Sequence, residues 1–116
     1  MIRRSYEMSV ASSVRLKDGH GEADIVNILE PEDMFGAGRL FCITKMKPGV
    51  SSGPHFHTGD FETYYILKGR ALANDNGKLY ELEPGDMLQC KDGDFHAIEC
   101  IGEEELEYLA VIMYSR

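Results

Sequence analysis

Closely spaced turn signals are the feature of this sequence that most restricts its fold. Twelve glycines and four prolines are spread over 116 residues, and pairs such as Pro48-Gly49 and Pro84-Gly85 separate short apolar runs. Asn76-Gly77 is a strong hairpin signal, because a type I′ turn needs positive φ at both central residues. No segment longer than a few residues has a helical period. This pattern predicts many short strands that pack as a sandwich or a barrel.

Eight strands are predicted between the turns, and they occupy most of the chain after residue 37. Residues 30–34 are predicted to form a turn or a single helical turn, and residues 1–24 are mixed and polar. We therefore predict a single domain over residues 1–116, with an N-terminal arm over 1–24 and a barrel core over 38–114. The predicted strands are Gly38–Met46, His55–His57, Thr63–Lys68, Arg70–Asn74, Lys78–Glu81, Asp86–Cys90, Phe95–Cys100 and Leu106–Tyr114.

Four residues on or beside three of these strands have the chemistry of metal ligands. His55 and His57 lie two positions apart, so their side chains point to the same face of a strand. If the faces that carry Glu62 and His96 line the same interior, three imidazoles and one carboxylate converge there. This donor set suits a divalent ion of manganese, iron, cobalt, nickel or zinc, whereas calcium prefers oxygen ligands alone. We expect one such ion per chain, with open positions for a small ligand.

The same residues resemble the two sequence motifs of the cupin superfamily. The stretch Gly49–Gly69 matches the first motif, G-x5-H-x-H-x4-E-x6-G, at every fixed position. The second motif, G-x5-P-x-G-x2-H-x3-N, is broken at Lys91, which replaces the proline, and at Cys100, which replaces the asparagine. The remaining fixed positions of this motif are matched by Gly85, Gly93 and His96.

The resemblance implies an all-β fold, the antiparallel double-stranded β-helix of a jelly-roll cupin barrel with roughly six to eight strands. It also implies a metal ion inside the barrel near one open end, held by His55, His57, Glu62 and His96. Small cupins of this pattern are compared with oxalate decarboxylases, in which an arginine lies three residues before the first histidine of the first motif. Here that position is Ser52, so the residue that would hold a carboxylate is absent.

Two functions are compatible with these residues, and the sequence leaves both open. The first is a metal-dependent enzyme that acts on a small polar metabolite with a carboxylate, hydroxyl or carbonyl group, with Tyr64 and Tyr108 as candidate catalytic residues. A packed aromatic is the alternative role for each tyrosine. The second function is a non-catalytic, metal-dependent binding module for a small ligand. Arg39 and Arg70 are candidate partners of a ligand carboxylate, and ordinary surface exposure is the alternative for both.

The pocket around the metal is predicted to be mostly apolar, with few charged groups besides Glu62. Counting every second residue along the strands places five side chains on its wall. The predicted lining is Tyr64, Ile66, Ile98, Tyr108 and Ile112. Cys100 shares a strand face with His96 and is expected to be buried and poorly reactive. His20, the histidine outside the two motifs, is expected in an exposed loop.

Composition and charge restrict the partners and the location. The net charge of −8 disfavours nucleic acid, and no apolar run approaches the ~20 residues that span a bilayer, so we expect no nucleic-acid or membrane partner. Three scattered cysteines predict reduced thiols in a cytoplasmic protein. We also expect a homodimer. The strand face with Thr63, Tyr65 and Leu67 is too apolar for open solvent, and the first 15 residues suit an added edge strand.

Overall fold

Two antiparallel sheets built from ten strands make up the described part of the chain. The computed structural model describes residues 1–14 and 16–116, without the side chain of Asp18. Within these residues no helix is long and apolar enough to cross a membrane. Short 3₁₀ turns occur at Ser5–Glu7, Leu16–Asp18 and Pro31–Met34. The strands are β1 (Val10–Val14), β2 (Glu22–Leu29), β3 (Gly38–Met46), β4 (Ser51–Phe56), β5 (Asp60–Lys68), β6 (Arg70–Asp75), β7 (Lys78–Leu82), β8 (Met87–Cys90), β9 (Phe95–Ile101) and β10 (Leu106–Tyr114).

The strand order is that of a jelly roll. One sheet has six strands in the order β1-β2-β3-β10-β5-β8, and the other has four in the order β4-β9-β6-β7. The paired strands in both sheets are antiparallel. The inner faces of the sheets enclose one core, in which Met46, Ile66, Ile98 and Leu106 are at most 1% exposed. The predicted antiparallel double-stranded β-helix is confirmed.

Six of the eight predicted strands agree with the observed ones to within one residue at both ends. The two exceptions, β4 and β5, flank the short connection at residues 57–59. β4 begins at Ser51 and ends at Phe56, so His57 lies just beyond the strand. Its N–H donates to the carbonyl oxygen of Asp94 at 3.0 Å, which holds the backbone beside the loop that leads into β9.

β2 is a strand that the turn signals do not predict. Its eight residues mix polar and apolar side chains, and only Ala23 among them is fully buried. β2 pairs with β3 on one side and with β1 on the other, so this region adds two strands to the larger sheet. The edge strand expected within the first 15 residues is present as β1, and Arg15 of the predicted arm lies outside the described residues.

An irregularity in β4 turns its histidine towards the interior. Ser52 pairs with Ile98, whereas His55 pairs with His96, so β4 carries one residue more than β9 between these two pairs. Pro54 lies in this interval and has no N–H to donate, which suits a bulge. Because the bulge reverses the alternation, Ser52 and His55 line the same cavity although they are three positions apart.

Candidate metal centre

The four predicted ligands meet at one end of the barrel interior. His55 is on β4, His57 follows β4, Glu62 is on β5 and His96 is on β9. One ligand atom from each residue lies within 4.8 Å of the other three. His57, Glu62 and His96 are at most 5% exposed, and His55 is half-buried. This buried cluster fits a single metal site.

The closest contacts in the cluster join ring nitrogens to one another and to a carboxylate oxygen. His96 Nε2 lies 3.0 Å from His55 Nε2, 3.2 Å from His57 Nε2 and 3.0 Å from Glu62 Oε1. His57 Nε2 is also 3.0 Å from that oxygen. Four donor atoms of coordinating type therefore surround one small volume.

Hydrogen bonds on the far side of two rings indicate which nitrogen carries the proton. Nδ1 of His55 lies 2.9 Å from the carbonyl oxygen of Gly53, and a carbonyl oxygen only accepts, so we assign the proton to Nδ1. Nδ1 of His57 likewise donates to Asp60 Oδ1 at 2.7 Å. In the neutral rings both Nε2 atoms therefore point lone pairs towards Glu62. These lone pairs and the carboxylate repel one another, and a divalent cation among them replaces repulsion with coordination, so the donor set fits a metal ion.

His96 is oriented by ring stacking. Its Nδ1 is buried and has no hydrogen-bond partner among the described residues. The ring of Tyr64 stacks on the imidazole at a centroid distance of 4.8 Å and an interplanar angle of 15°. The Tyr64 hydroxyl is 3.4 Å from His96 Nε2. Tyr64 thus positions the third imidazole and brings a hydroxyl group to the edge of the cluster.

Burial and mutual contacts shift the ionisation of the cluster. Burial acts to raise the pKa of Glu62, but its contacts with the three histidines, whose protonated rings favour the carboxylate form, outweigh it and hold the pKa far below its usual range. Contact with Glu62 raises the pKa of His57, because the protonated ring would donate to that carboxylate, whereas burial lowers the pKa of His96. Glu62 is therefore a carboxylate and His96 a neutral imidazole at neutral pH, which are the forms that coordinate a metal.

A cavity of about 210 Å³ extends from the cluster towards exposed residues such as Phe56. Tyr64, Tyr108 and Ile112 line it as predicted. Ile66 and Ile98 do not, since they are 0% and 1% exposed and belong to the apolar core. That part of the prediction is wrong because the strand faces continue past the ligands into the other end of the barrel interior. The apolar core fills this end, which we call the closed end.

Two basic residues line the cavity besides Glu62, so the charged groups are few, as predicted. Lys17 comes from the 3₁₀ turn after β1, and Arg39 comes from β3. Arg39 Nε donates to Asp60 Oδ2 at 3.0 Å. Asp60 in turn accepts from His57, so a chain of hydrogen bonds connects the cavity wall to a predicted metal ligand.

The candidate catalytic residues Tyr64 and Tyr108 are buried side by side. They are 3% and 1% exposed, and their ring centroids are 4.6 Å apart. Burial raises the pKa of both phenols above the usual range. Each therefore stays protonated and is suited to donate a hydrogen bond. Of the two, Tyr64 contacts the ligand cluster directly.

Three predictions concern residues away from the ligands. Arg70 does not line the cavity, and it pairs instead with the exposed Glu81 at 2.7 Å. His20 is exposed as predicted. Cys100 is 1% exposed, and burial raises the pKa of its thiol. Its predicted burial is confirmed, and its poor reactivity stays a prediction.

Cys42, Thr44 and Asp60 are site residues that the sequence did not reveal. Cys42 and Thr44 line the cavity from β3, and burial raises the pKa of the Cys42 thiol to about 11. Every second residue of β3, counted back from the buried Met46, faces the interior. This count is the sequence signal that could have identified Thr44 and Cys42. Asp60 lies three positions after His57, and nothing in that spacing distinguishes a bound carboxylate from an exposed one.

Comparison with known proteins assigns the chain to a family. A family model described as "Cupin domain" matches residues 42–112, which include all four candidate ligands. The chain belongs to the cupin family. The resemblance of its two motifs to the cupin motifs is thereby confirmed.

Individual cupins are similar to this chain over nearly its whole length. The "Oxalate-binding protein" of Thermotoga maritima is 40% identical over 113 residues, which cover 97% of this chain and 93% of the relative. The crystal structure of a "predicted oxalate decarboxylase" from Thermotoga maritima has a TM-score of 0.94 at 39% identity, covering 98% of this chain and 99% of that chain. A sugar phosphate isomerase from Silicibacter pomeroyi has a TM-score of 0.78 at 15% identity, covering 99% of this cupin and 76% of that chain, and shows the shared fold alone.

Proposed function

We propose that this cupin binds one divalent transition-metal ion through His55, His57, Glu62 and His96, and that the ion and the cavity together bind a small carboxylate such as oxalate. The observation that carries the proposal is the convergence of imidazole lone pairs on a buried carboxylate. The name of the 40% identical "Oxalate-binding protein" supports the ligand class. Manganese, iron, cobalt, nickel and zinc are the ions that suit these donors.

The walls of the cavity support a small anionic ligand. A bound divalent ion would supply Lewis acidity for an anionic oxygen. Leu40, Ala110 and Ile112 provide an apolar wall, whose low polarity strengthens electrostatic attraction inside the cavity. The protonated hydroxyl of Tyr64 is a hydrogen-bond donor beside the ligand cluster. The volume of about 210 Å³ restricts the ligand to a few heavy atoms.

A metal-dependent enzyme is the second candidate, and Tyr64 is the observation that favours it. Its protonated hydroxyl lies 3.4 Å from His96 Nε2, where it could give a proton to a bound ligand. A positioned base is harder to find among the described residues. Burial raises the pKa of Cys42 and Tyr108, and Asp60 is bonded to both His57 and Arg39. We therefore propose ligand binding as the first candidate function and catalysis as the second.

Metal analysis followed by ligand binding tests the proposal. The purified protein is dialysed against each of the five divalent ions, and bound metal is measured by mass spectrometry. We expect one ion per chain in the wild type and in His20→Ala, the exposed control, and a loss of the ion in His55→Ala and His96→Ala. Full metal binding by both ligand variants would contradict the site.

Oxalate added to the metal-loaded protein distinguishes the two candidate functions. Binding to the native state alone should raise the midpoint of thermal unfolding. A constant oxalate concentration over hours supports the binding module, and metal-dependent consumption of oxalate supports the enzyme. If the loaded protein shows no shift with oxalate, the proposed ligand is wrong.

We further propose a homodimer formed through the outer face of the six-stranded sheet. Tyr65 and Leu67 on β5 are 45% and 40% exposed, and Met87 on the neighbouring strand is 58% exposed. Leu109 on β10 lies opposite Tyr65 and continues the apolar surface. A second copy packed on this face would remove it from water. Light scattering at micromolar concentration tests the proposal, and a monomer mass would contradict it.

A further inference from the structure

Arg39 reaches the cavity at an irregular point of β3. On the neighbouring strand Ile112 pairs with Leu40 and Met113 pairs with Gly38, so Arg39 is an extra residue in β3. Regular alternation would place its side chain on the face opposite to that of Leu40, which lines the cavity. A bulge re-aims a side chain in this way, and bulges are frequent beside functional sites. Arg39 accordingly lines the cavity, with its side chain 45% exposed.

Lys17 reaches the same cavity from a backbone conformation that side chains rarely adopt. Its φ of 50° and ψ of 44° lie in the left-handed region, where glycine or asparagine would be less strained. Residues on both sides hold it there. Leu16 packs against the core, and Gly19 is so close to the backbone of Ser51 that a side chain at Gly19 would collide with it. From this strained backbone Lys17 presents its side chain at the cavity wall.

These two residues place positive charge at the cavity of a chain whose net charge is −8. Among the described side chains, Lys17 and Arg39 are the cations at the cavity, and Glu62 and the neighbouring Asp60 are the anions. The four charges cancel, so a divalent ion bound at the cluster would leave two positive charges uncompensated. A ligand with two negative charges neutralises this excess, whereas a ligand with one neutralises half of it.

We infer that Lys17 and Arg39 form a cationic clamp that makes the site select small dianionic carboxylates over monoanions. The inference rests on the proposed function, because it concerns the second negative charge of a carboxylate ligand that the ion binds. The Nε bond to Asp60 fixes the guanidinium of Arg39, whose planar N–H groups match a carboxylate. Lys17 is exposed and adds a point charge. The clamp supplies the positive charge for a ligand carboxylate. Ser52, which is uncharged, cannot supply it.

Oxalate and glycolate are the two probes that test the clamp. Both can chelate a metal, but oxalate carries one more negative charge. Each is titrated into the Co²⁺-loaded protein and followed by calorimetry and by the visible absorption of the ion. We expect Arg39→Gln to lower the oxalate affinity about tenfold and Lys17→Gly about threefold, with smaller changes for glycolate. Arg70→Gln is the matched control, because that arginine does not line the cavity, and it should keep the wild-type ratio of the two affinities.

Folding and metal binding are checked on the same samples. Glycine at position 17 removes the steric strain of the left-handed backbone, but it also makes the unfolded chain more flexible. Because these two effects on stability oppose each other, Lys17→Gly without ligand should have a thermal midpoint near that of the wild type. Wild-type affinity ratios in Lys17→Gly and Arg39→Gln would overturn the clamp and leave the proposed function intact. Loss of Co²⁺ from folded Arg39→Gln would overturn the role of Arg39 in the clamp and assign it to the positioning of His57. If the Co²⁺-loaded wild type binds neither probe, the proposed ligand class and the clamp both fail.

Discussion

The two ends of the barrel interior differ sharply, although the same strands build both. On β5 the inward face runs from Ile66 at the closed end through Tyr64 to Glu62 at the open end, and on β9 it runs from Ile98 to His96. The closed end is apolar, and its residues are almost completely buried. The open end buries a carboxylate and three imidazoles beside a cavity. A step of two residues along β9 leads from an apolar packing residue to a residue with ligand chemistry.

This difference teaches that stability and ligand binding are separable in this molecule. Burial of apolar side chains at the closed end favours folding. Burial of ionisable groups at the open end opposes folding unless a partner compensates for the lost hydration. Substitutions at the two ends should therefore change different measurements, and four predictions test this separation.

Ile66→Ala should produce the largest loss of stability. The residue is fully buried in the core, so its truncation removes apolar contacts and leaves a cavity, at a cost of about 3 kcal/mol in the free energy of unfolding. Urea denaturation of the metal-free protein measures this cost. Leu79→Ala on β7 is the control, because Leu79 is 61% exposed and its truncation should cost much less. The folded Ile66→Ala protein should still bind one metal ion, and a loss of metal would show that the two ends are not independent.

Asp60→Asn should weaken metal binding without a comparable loss of stability. Asp60 accepts the Nδ1 proton of His57 at 2.7 Å, and removing such an outer partner of a metal ligand lowers affinity by about ten- to a hundredfold. Competition with a chromophoric chelator measures the change. Asp24→Asn is the control, since Asp24 bonds to Ser12 between strands at the sheet edge. Equal metal affinity in both variants would remove Asp60 from the site.

Metal affinity should fall as the pH drops below about 6, by about tenfold or more towards pH 5. The sign follows from competition, because an imidazole must be neutral to coordinate and protons occupy it at low pH. Contact with Glu62 raises the pKa of His57, so competition at this ligand begins at a higher pH than at an ordinary imidazole. Chelator competition between pH 5 and pH 8 measures the profile. An affinity that does not change across this range would argue against histidine ligands.

His96→Leu should have the smallest effect on stability, although it removes a metal ligand. The substitution replaces a fully buried imidazole, whose Nδ1 has no partner among the described residues, with an apolar side chain. The free energy of unfolding of the metal-free protein should change by no more than about 1 kcal/mol, because loss of the contact with Glu62 offsets the gain from apolar burial, while metal binding is lost. Urea denaturation without metal measures it. A destabilisation as large as that of Ile66→Ala would show that the open end also stabilises the fold.

The strands and the ligand set were predictable because both depend on local patterns. Turn residues such as Asn76-Gly77 separate the strands, and this pair does form the turn between β6 and β7, with both residues at positive φ. His55 and His57 point the same way because alternate residues of an extended chain share a face. β2 was not predictable in this way, since only one of its residues is fully buried and its polar residues resemble those of a loop.

The sequence by itself determined the positions of the turns, most of the strands and the four residues with ligand chemistry. Only the tertiary structure decided the remainder of the cavity wall, beyond the predicted Tyr64, Tyr108 and Ile112. Arg39 reaches the wall through a bulge in β3, Lys17 comes from a segment outside the barrel motifs, and Ile66 belongs to the closed end. The physical reason is that a one-residue shift in register moves a side chain to the opposite face of a sheet. That register depends on hydrogen bonds to strands that are distant in the sequence, such as β10 for Arg39.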